Sequence, residues 1–246
     1  MFPVAVESII NLGQLLFKVL LMNCRHDKAA SQAFPAAARR CRSAAPQPAA
    51  PEGDPAQHQL TLDPMPSRID PCLALLKPRP PKGPRWAFEV KWDGYCLAVH
   101  IEPKGVRILT RGAHDWTDRF PAIVAEAKRL PVSTAILDGE AVVLDEHGRS
   151  DFGKLQQSLG GRGGNKAFRE AILMVFDLLY LDGHHFTKTE LTARRHLLEE
   201  LVPAGGEDAI RLEEIEADGE TLLRIACEHG LEGIIAKDRH STVSVR

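Results

Sequence analysis

The segment Trp86-Ala-Phe-Glu-Val-Lys-Trp-Asp93 constrains the fold because its large apolar residues alternate with charged ones. Such alternation is typical of a β-strand that buries one face in a core. The other face then carries Glu89, Lys91 and Asp93, and Gly94 completes an Asp-Gly bend. A lysine held between two carboxylates is either part of a surface salt-bridge ladder or an activated amine.

Further strand-like and helical segments follow along the chain. No Gly-rich fingerprint opens a βαβ unit, and the glycine-rich stretch 160–164 lacks the spacing of a phosphate-binding loop. We therefore predict an α+β fold with antiparallel sheets. The predicted strands cover 86–92, 95–102, 105–111, 136–144, 173–181 and 233–237, and the predicted helices cover 120–130 (with Asp118 as N-cap), 190–202 and 219–229.

The first 57 residues differ in composition from the rest. An apolar run at 9–22 is too short and interrupted for a membrane span and lacks a basic leader. We interpret it as a short amphipathic helix or as sequence from an unusual start site. The predicted division is an apolar, amphipathic N-terminal segment (1–28), a disordered linker rich in Ala and Pro (29–57) and a folded domain (58–246). A short apolar piece at 72–76 is interpreted as one or two helical turns.

The overall composition is that of an ordinary globular protein, with 44% hydrophobic and 26% charged residues. The formal net charge of −2 lacks the basic footprint that is usual for proteins that bind the phosphate backbone of nucleic acids. The five cysteines are scattered without a Cys-x-x-Cys pair. This spacing argues against a disulfide framework and a structural zinc site, and it favours a reducing cytoplasm.

Carboxylates recur in three of the later strand-like segments. These segments carry Asp-Gly-Glu at 138–140, Phe-Asp-Leu-Leu at 176–179 and Glu-Gly-Ile-Ile-Ala-Lys at 232–237. Each alone has a structural explanation, because Asp-Gly pairs make hairpin turns and apolar runs make cores. Their order along the chain is more specific than any one of them.

Together with Lys-x-Asp-Gly at 91–94 and Thr-Arg at 110–111, the ordered set resembles the motifs of ATP-dependent DNA ligases. It resembles in particular the ligase module of bacterial end-joining ligases of the ligase D type. The resemblance covers roughly residues 62–240, with supporting sequence at 114–120 and 150–156. It implies a nucleotidyltransferase (ATP-grasp-like) adenylation domain of antiparallel sheets with flanking helices.

In this resemblance, Lys91 matches the catalytic lysine that attacks the α-phosphate of ATP, expels pyrophosphate and holds AMP as a phosphoramidate. A lysine is protonated at neutral pH, and neighbouring carboxylates favour that charged form. A divalent cation and the cationic groups around the triphosphate must offset this effect, so we expect Mg²⁺ beside ATP. Glu140 and Glu232 match positions that contact the ribose or coordinate the metal, and oxygen ligands suit Mg²⁺.

The remaining matches concern the nucleotide. Phe176 matches the aromatic residue that stacks on adenine, and Glu89 matches the residue beside the adenine edge. Arg111 matches an arginine that meets the phosphate or ribose, where a planar guanidinium is useful. Lys237 ends the fourth motif as a further nucleotide-binding residue, and a solvated lysine at a strand end is the alternative.

The sequence departs from the family pattern in three places. Cys96 stands where the family has an arginine, and loss of such a charge-assisted contact costs a few kcal/mol. Gly112-Ala113 stands where Asn-Gly is common. After Lys237 the family continues to a Lys-x-Lys motif and an OB-fold domain that grips DNA, and we expect this chain to lack both.

The resemblance implies an ATP-dependent DNA ligase that adenylates its lysine, transfers AMP to a DNA 5′-phosphate and seals the nick. The implied process is DNA repair and recombination, including non-homologous end joining. The implied partners are nicked or broken double-stranded DNA and a Ku-type end-binding protein or a separate OB-domain polypeptide, with no membrane. The implied location is the bacterial cytoplasm, in association with the nucleoid.

Two alternatives stay open. One is a truncated, catalytically impaired ligase paralogue that binds ATP or DNA ends without completing ligation. The other is an RNA ligase or a capping-type guanylyltransferase, which shares Lys-x-Asp-Gly but fits the surrounding sequence less well.

Overall fold

The computed structural model of the chain describes residues 18–22 and 62–243, apart from 71, 73, 162, 163, 165, 203–207, 214 and 216. The described residues form two β-sheets with four α-helices and one 3₁₀ helix around them. Within the same residues, no helix is long and apolar enough to cross a membrane.

The secondary-structure elements follow one another in this order. The strands are β1 (Lys18–Met22), β2 (Ala74–Lys77), β3 (Trp86–Val90), β4 (Tyr95–Glu102), β5 (Gly105–Thr110), β6 (Ala135–Val142), β7 (Ile172–Leu181), β8 (His184–His185), β9 (Ile210–Leu212) and β10 (Gly233–Asp238). The helices are the 3₁₀ helix Thr117–Arg119, α1 (Pro121–Ala127), α2 (Phe152–Ser158), α3 (Leu191–Leu201) and α4 (Gly219–Glu228).

Sheet A has the strand order β2-β1-β10-β3. β3 is antiparallel to β10, and β1 is parallel to it. Because alternate residues of a strand share a face, Phe88 and Val90 of β3 pack against Leu222 and Ala226 of α4. Glu89, between them, belongs to the opposite face of the sheet. The predicted alternation of this segment is confirmed.

Sheet B has the strand order β5-β4-β6-β7-β8, with β9 pairing in parallel with β7. Apolar residues on its inner face form the main core with α1, α2 and α3. In β6, Leu137 and Ala141 belong to that core, so Asp138 and Glu140 lie on the outer face. This outer face is the one that meets sheet A.

Residues 62–70, which we call the strap, run across the other end of the outer face of sheet B. Ile69 of the strap packs there with Ile136, Leu179 and Tyr180. The hydroxyl of Tyr180 donates a hydrogen bond to the carbonyl of Asp63 at 2.8 Å. The strap therefore covers part of a face that would otherwise be open.

The α+β fold and most of the predicted elements are confirmed, with bounds that differ by a few residues. Asp118 is not an N-cap, because it lies in the 3₁₀ helix and α1 begins with Pro121 after Phe120. Proline suits a first helical position, since its missing N–H would have no intrahelical acceptor there.

Two helical predictions were wrong. Of the run 9–22, the described residues 18–22 form strand β1, which pairs with β10 on one side and β2 on the other. The piece interpreted as helical turns at 72–76 contributes to the strand Ala74–Lys77. In both places, backbone pairing with strands distant in sequence decides the structure. β1 thus belongs to sheet A, and the predicted linker at 29–57 lies outside the described residues.

A buried ion pair ties α3 to β7. Arg194 is 2% exposed and donates from Nε to Oδ1 of Asp177 at 2.7 Å and from Nη2 to Oδ2 at 2.9 Å. Its Nη1 also donates to the carbonyl oxygen of Ser241 at 3.1 Å. The pair fixes the backbone of β7 directly beside Phe176.

Replacement of Arg194 by methionine is expected to lower the free energy of unfolding by about 3–5 kcal/mol, because it leaves the Asp177 carboxylate buried without its cation. Urea unfolding measures this loss. The double variant Arg194→Met, Asp177→Leu should recover a large part of it. Arg224→Met, which removes an exposed pair with Glu228, is the control and should change stability by less than about 1 kcal/mol. A similar loss in both single variants would contradict the role of the buried pair.

Candidate active site

The charged faces of sheets A and B meet at a cleft, which we call the candidate site. Lys91 directly follows β3, and its backbone N–H donates to the carbonyl of Gly233 at 2.9 Å. Its ammonium group forms an ion pair with the carboxylate of Glu232. The Lys91 and Glu232 side chains are 22% and 31% exposed. The Lys91 side chain is therefore anchored at its ammonium group and partly exposed to solvent.

Carboxylates crowd around this lysine. Burial, and next the charge of Asp138, raises the pKa of Glu140 to about 8. Burial and the nearby Asp177 raise the pKa of Asp138 to about 7. The pKa of Asp93 is also raised, by burial and by Glu232. Each negative charge makes the others less favourable, so the cleft is electrostatically suited to a cation.

Lys237 links the two sheets. Its Nζ pairs with Oε2 of Glu89 at 2.7 Å and donates to the carbonyl of Phe176 at 3.1 Å. The same nitrogen lies 4.6 Å from the centre of the Phe176 ring, in the geometry of a cation–π contact. The residue is only 2% exposed. The alternative of a solvated lysine at the strand end was wrong.

Glu89 also contacts α3. Nη1 of Arg195 pairs with Oε1 of Glu89 at 3.1 Å, and Nη2 donates to the carbonyl of Glu213. The Glu213 carboxylate accepts the backbone N–H of Val90 at 3.2 Å. Its pKa is raised to about 7, chiefly by burial, with Glu89 adding to the effect. These contacts fix the strand that leads into Lys91.

The opposite wall of the cleft carries Arg111 and Cys96. Arg111 follows the last paired residues, Leu97 and Thr110, and so continues the register opposite Cys96. Burial, together with the charge of Asp138, raises the pKa of the Cys96 thiol well above its usual range. The thiol stays protonated and points to Oδ1 of Asp138 at 3.9 Å. It contributes no charge to this wall.

The glycine of the Lys-x-Asp-Gly motif has a steric cause. A Cβ on Gly94 would lie 2.1 Å from the carbonyl oxygen of Ala141 and 2.9 Å from Cγ1 of Val142. The backbone after Lys91 thus passes against β6 at a distance that leaves no room for a side chain. This close approach sets the position of Lys91 relative to Glu140, which lies on β6 next to Ala141.

The sequence pattern of the family described as "ATP dependent DNA ligase domain" matches residues 77–244, more than half of the chain. The chain belongs to this family. Its relatives include the multifunctional non-homologous end joining protein LigD of Pseudomonas aeruginosa, which is 44% identical over 176 residues, covering 71% of this chain and 20% of that protein. LigD of Mycobacterium bovis is 40% identical over 160 residues, covering 65% and 20%. The chain spans about a fifth of the length of these ligase relatives.

Solved structures of ligases share the fold. The ligase domain of LigD from M. tuberculosis superposes with a TM-score of 0.55 at 37% sequence identity, covering 65% of this chain and 50% of that one. A mycobacterial DNA ligase D complexed with ATP and MES gives a TM-score of 0.54 at 38% identity, with the same coverage. The adenylation-domain fold predicted from the motifs is confirmed.

The donor set of the cleft agrees with Mg²⁺ in its chemistry. Glu140 and Glu232 carry carboxylate oxygens of the kind that Mg²⁺ prefers. Burial, and next the negative charge of Asp138, raises the pKa of Glu140, and a divalent cation would favour its charged form. Among the described residues, no three His, Cys, Asp or Glu side chains converge on one point. Mg²⁺ commonly needs only one or two carboxylates, since water and substrate phosphates complete its shell.

The structure brings most of the predicted site residues to this one cleft. One group consists of the Lys91 amine and the carboxylates around it, Glu140 and Glu232. A second group joins sheet A to sheet B through Glu89, Lys237 and Phe176. Arg111 lies on the opposite wall near Cys96. Sequence reasoning missed Arg195 and Glu213. Arg195 belongs to a predicted helix, but nothing in the helical pattern distinguished it from the adjacent Arg194.

Gly94→Ala is expected to lower the free energy of unfolding by about 1–3 kcal/mol, because the new methyl group overlaps Ala141. Thermal unfolding followed by circular dichroism measures this effect. Gly153→Ala is the control, because its Cβ would come no closer than 3.4 Å to another atom and it lies in helix α2. That variant should gain up to about 1 kcal/mol. Equal stability of the two variants would contradict the close approach at Gly94.

Glu213→Gln is expected to alter how stability depends on pH. The folded state raises the pKa of Glu213 from 4.5 to about 7. The stabilisation that the protonated carboxyl gives to the folded state is therefore complete below pH 4.5 and is lost as pH rises through about 7. Glutamine cannot ionise and still accepts from Val90. Relative to the unmodified chain, the variant should gain roughly 1–2 kcal/mol between pH 5 and pH 8 in urea unfolding. Glu228→Gln on the exposed face of α4 is the control, and an equal gain there would refute the assignment.

Proposed function

We propose that this domain transfers AMP from ATP to Lys91 as the first step of ATP-dependent DNA ligation. The observation that carries the proposal is the partly exposed side chain of Lys91, whose ammonium group pairs with Glu232 at the cleft where the family motifs converge. Membership of the DNA ligase family supports the reaction type. The ATP complex of the mycobacterial relative supports the choice of nucleotide.

In the proposed step, the lone pair of the Lys91 nitrogen attacks the α-phosphorus of ATP. A P–N bond forms, the bond from the α-phosphorus to the bridging oxygen breaks, and pyrophosphate leaves. The amine must lose a proton to react, and Glu232 is the acceptor in direct contact with it. The product is an AMP-lysine phosphoramidate.

The proposed nucleotide contacts follow from the same geometry. Phe176 is partly exposed and can stack on adenine with one face of its ring, while Lys237 lies over the other face. Glu89 is held in place by Lys237 and Arg195 and would present its carboxylate near the edge of the base. Arg111 would bind a phosphate or the ribose.

Glu140 and Glu232 would hold Mg²⁺, which neutralises charge on the triphosphate when it is bound. The protein's own part is to orient the two carboxylates. The pKa of Glu140 is about 8, so binding of a cation would release protons near neutral pH.

We propose that the later steps are AMP transfer to a DNA 5′-phosphate and sealing of the nick during end joining of broken double-stranded DNA. The names of the LigD relatives support this process. Because the formal charge of the chain is −2, we propose that a separate OB-domain polypeptide or a Ku-type protein contributes to holding the DNA.

The proposed location is the bacterial cytoplasm at the nucleoid.

Cys96 favours a second candidate function. A protonated thiol at this position supplies no fixed positive charge beside Arg111. A catalytically impaired ligase relative would then bind ATP or DNA ends without completing ligation.

Label transfer from α-labelled ATP to the protein in the presence of Mg²⁺ tests both candidates. The unmodified chain should become labelled, Lys91→Ala should not, and EDTA should abolish the signal. Lys104→Ala, in the turn between β4 and β5, is the matched lysine control and should label normally.

The variant Cys96→Arg separates the candidates. An unlabelled chain whose activity is restored by Cys96→Arg would favour the impaired ligase. Absence of label in both proteins would contradict adenylation by this chain.

A further inference from the structure

A recess opens on the outer face of sheet B beside the candidate site. Its lining includes Cys96, Asp138 and His100 in the sheet, Arg111 at the end of β5 and Arg68 from the strap. The volume of the recess is about 20 Å³, which is room for roughly one water molecule. A larger ligand would therefore lie at its mouth, where the exposed side chains are.

Two arginines line the recess at that mouth. Nη2 of Arg68 donates to the carbonyl oxygen of Arg111 at 3.4 Å, which keeps the two residues side by side. The Arg68 side chain is 48% exposed, and Arg111 is exposed as well. Two adjacent guanidinium groups can each donate two parallel hydrogen bonds to a phosphate.

The floor of the recess holds a histidine that lacks a hydrogen-bond partner. His100 is fully buried, and neither of its ring nitrogens has a partner among the described residues. Burial, and next the charge of Arg107, lowers its pKa to about 4, so the ring is neutral. A buried polar group without a partner is costly, which points to a water or ligand atom in the recess.

We propose that Arg68 and Arg111 together bind a phosphate group at the mouth of this recess. Arg68 supplies, from the strap, the positive charge that Cys96 cannot supply from the sheet. The phosphate belongs either to ATP or to the 5′ end of a DNA strand. The choice of these two sources rests on the proposed function. The binding of a phosphate by the two arginines does not depend on it.

Asp70 competes with a phosphate for the guanidinium group of Arg68. Its Oδ1 lies 2.6 Å from Nη2 of Arg68, so this carboxylate occupies the guanidinium when no phosphate is present. A phosphate must compete with it. Removal of the Asp70 charge should therefore strengthen phosphate binding, whereas removal of Arg68 should weaken it.

Calorimetric titration at low salt tests the proposal. The probes are α,β-methylene ATP with Mg²⁺, adenosine, and nicked duplexes with either a 5′-phosphate or a 5′-hydroxyl at the nick. Arg68→Ala should weaken the binding of the ATP analogue or of the 5′-phosphate nick by about tenfold. It should leave adenosine and the 5′-hydroxyl nick unchanged. Which of the two phosphate probes responds identifies the source of the phosphate.

Three further variants make the outcome specific. Asp70→Asn should tighten the same probe a few fold, a direction that a folding defect would not produce. Cys96→Arg added to Arg68→Ala should restore binding, because it returns a guanidinium to the same recess. Arg129→Ala, which removes an exposed arginine paired with Glu126, should have no effect.

The outcomes distinguish this inference from the proposed function. Equal weakening of all probes by Arg68→Ala, or no weakening of either phosphate probe, would overturn the phosphate site. Selective loss of phosphate binding in Arg68→Ala would support the phosphate site, whatever the labelling experiment shows. Failure of the unmodified chain to take label from ATP would count against the proposed adenylation and not against the phosphate site.

Discussion

The candidate site depends on one buried cation, the ammonium group of Lys237. It joins Glu89 on β3 to the backbone of Phe176 on β7, so a single side chain holds sheet A against sheet B. A buried ammonium is tolerated only where its hydrogen bonds and a counter-charge are supplied, and both are present here. Since Lys91 directly follows β3, the position of its side chain relative to sheet B follows from this contact.

The cleft also holds carboxylates whose charged forms are disfavoured, first by burial and next by their mutual repulsion. Asp138 and Glu140 lie on one strand, two residues apart, and their pKa values are raised to about 7 and about 8. Apolar side chains packed at these two positions would make the folded protein more stable in the absence of a ligand. The arrangement makes sense if stability is given up for the capacity to receive a cation, which is common where charged groups serve chemistry.

Much of the fold was predictable because it depends on local periodicity, whereas the candidate site residues came from the resemblance to the ligase motifs. Alternation along β3 correctly separated Phe88 and Val90 from Glu89. Periodicity failed at β1 and β2, whose structure depends on pairing between distant segments. It also could not assign Arg194 to the core and Arg195 to the cleft, because neighbouring helical residues differ by only about 100° in direction. The burial of Lys237 had no sequence signal at all, since its partners come from two other strands.

The pairing of β3 with β10 has a consequence for the order in which the protein can assemble. Sheet B is built largely from neighbouring hairpins, whereas Arg85 and Asp238 at the edge of sheet A are 153 residues apart in sequence. Contacts between distant segments form late, because a long loop must first close. A ribosome-bound chain can therefore complete much of sheet B while Lys91 still lacks Glu232 and Lys237. The candidate site is therefore complete only after residues 232–238 have been synthesised and paired.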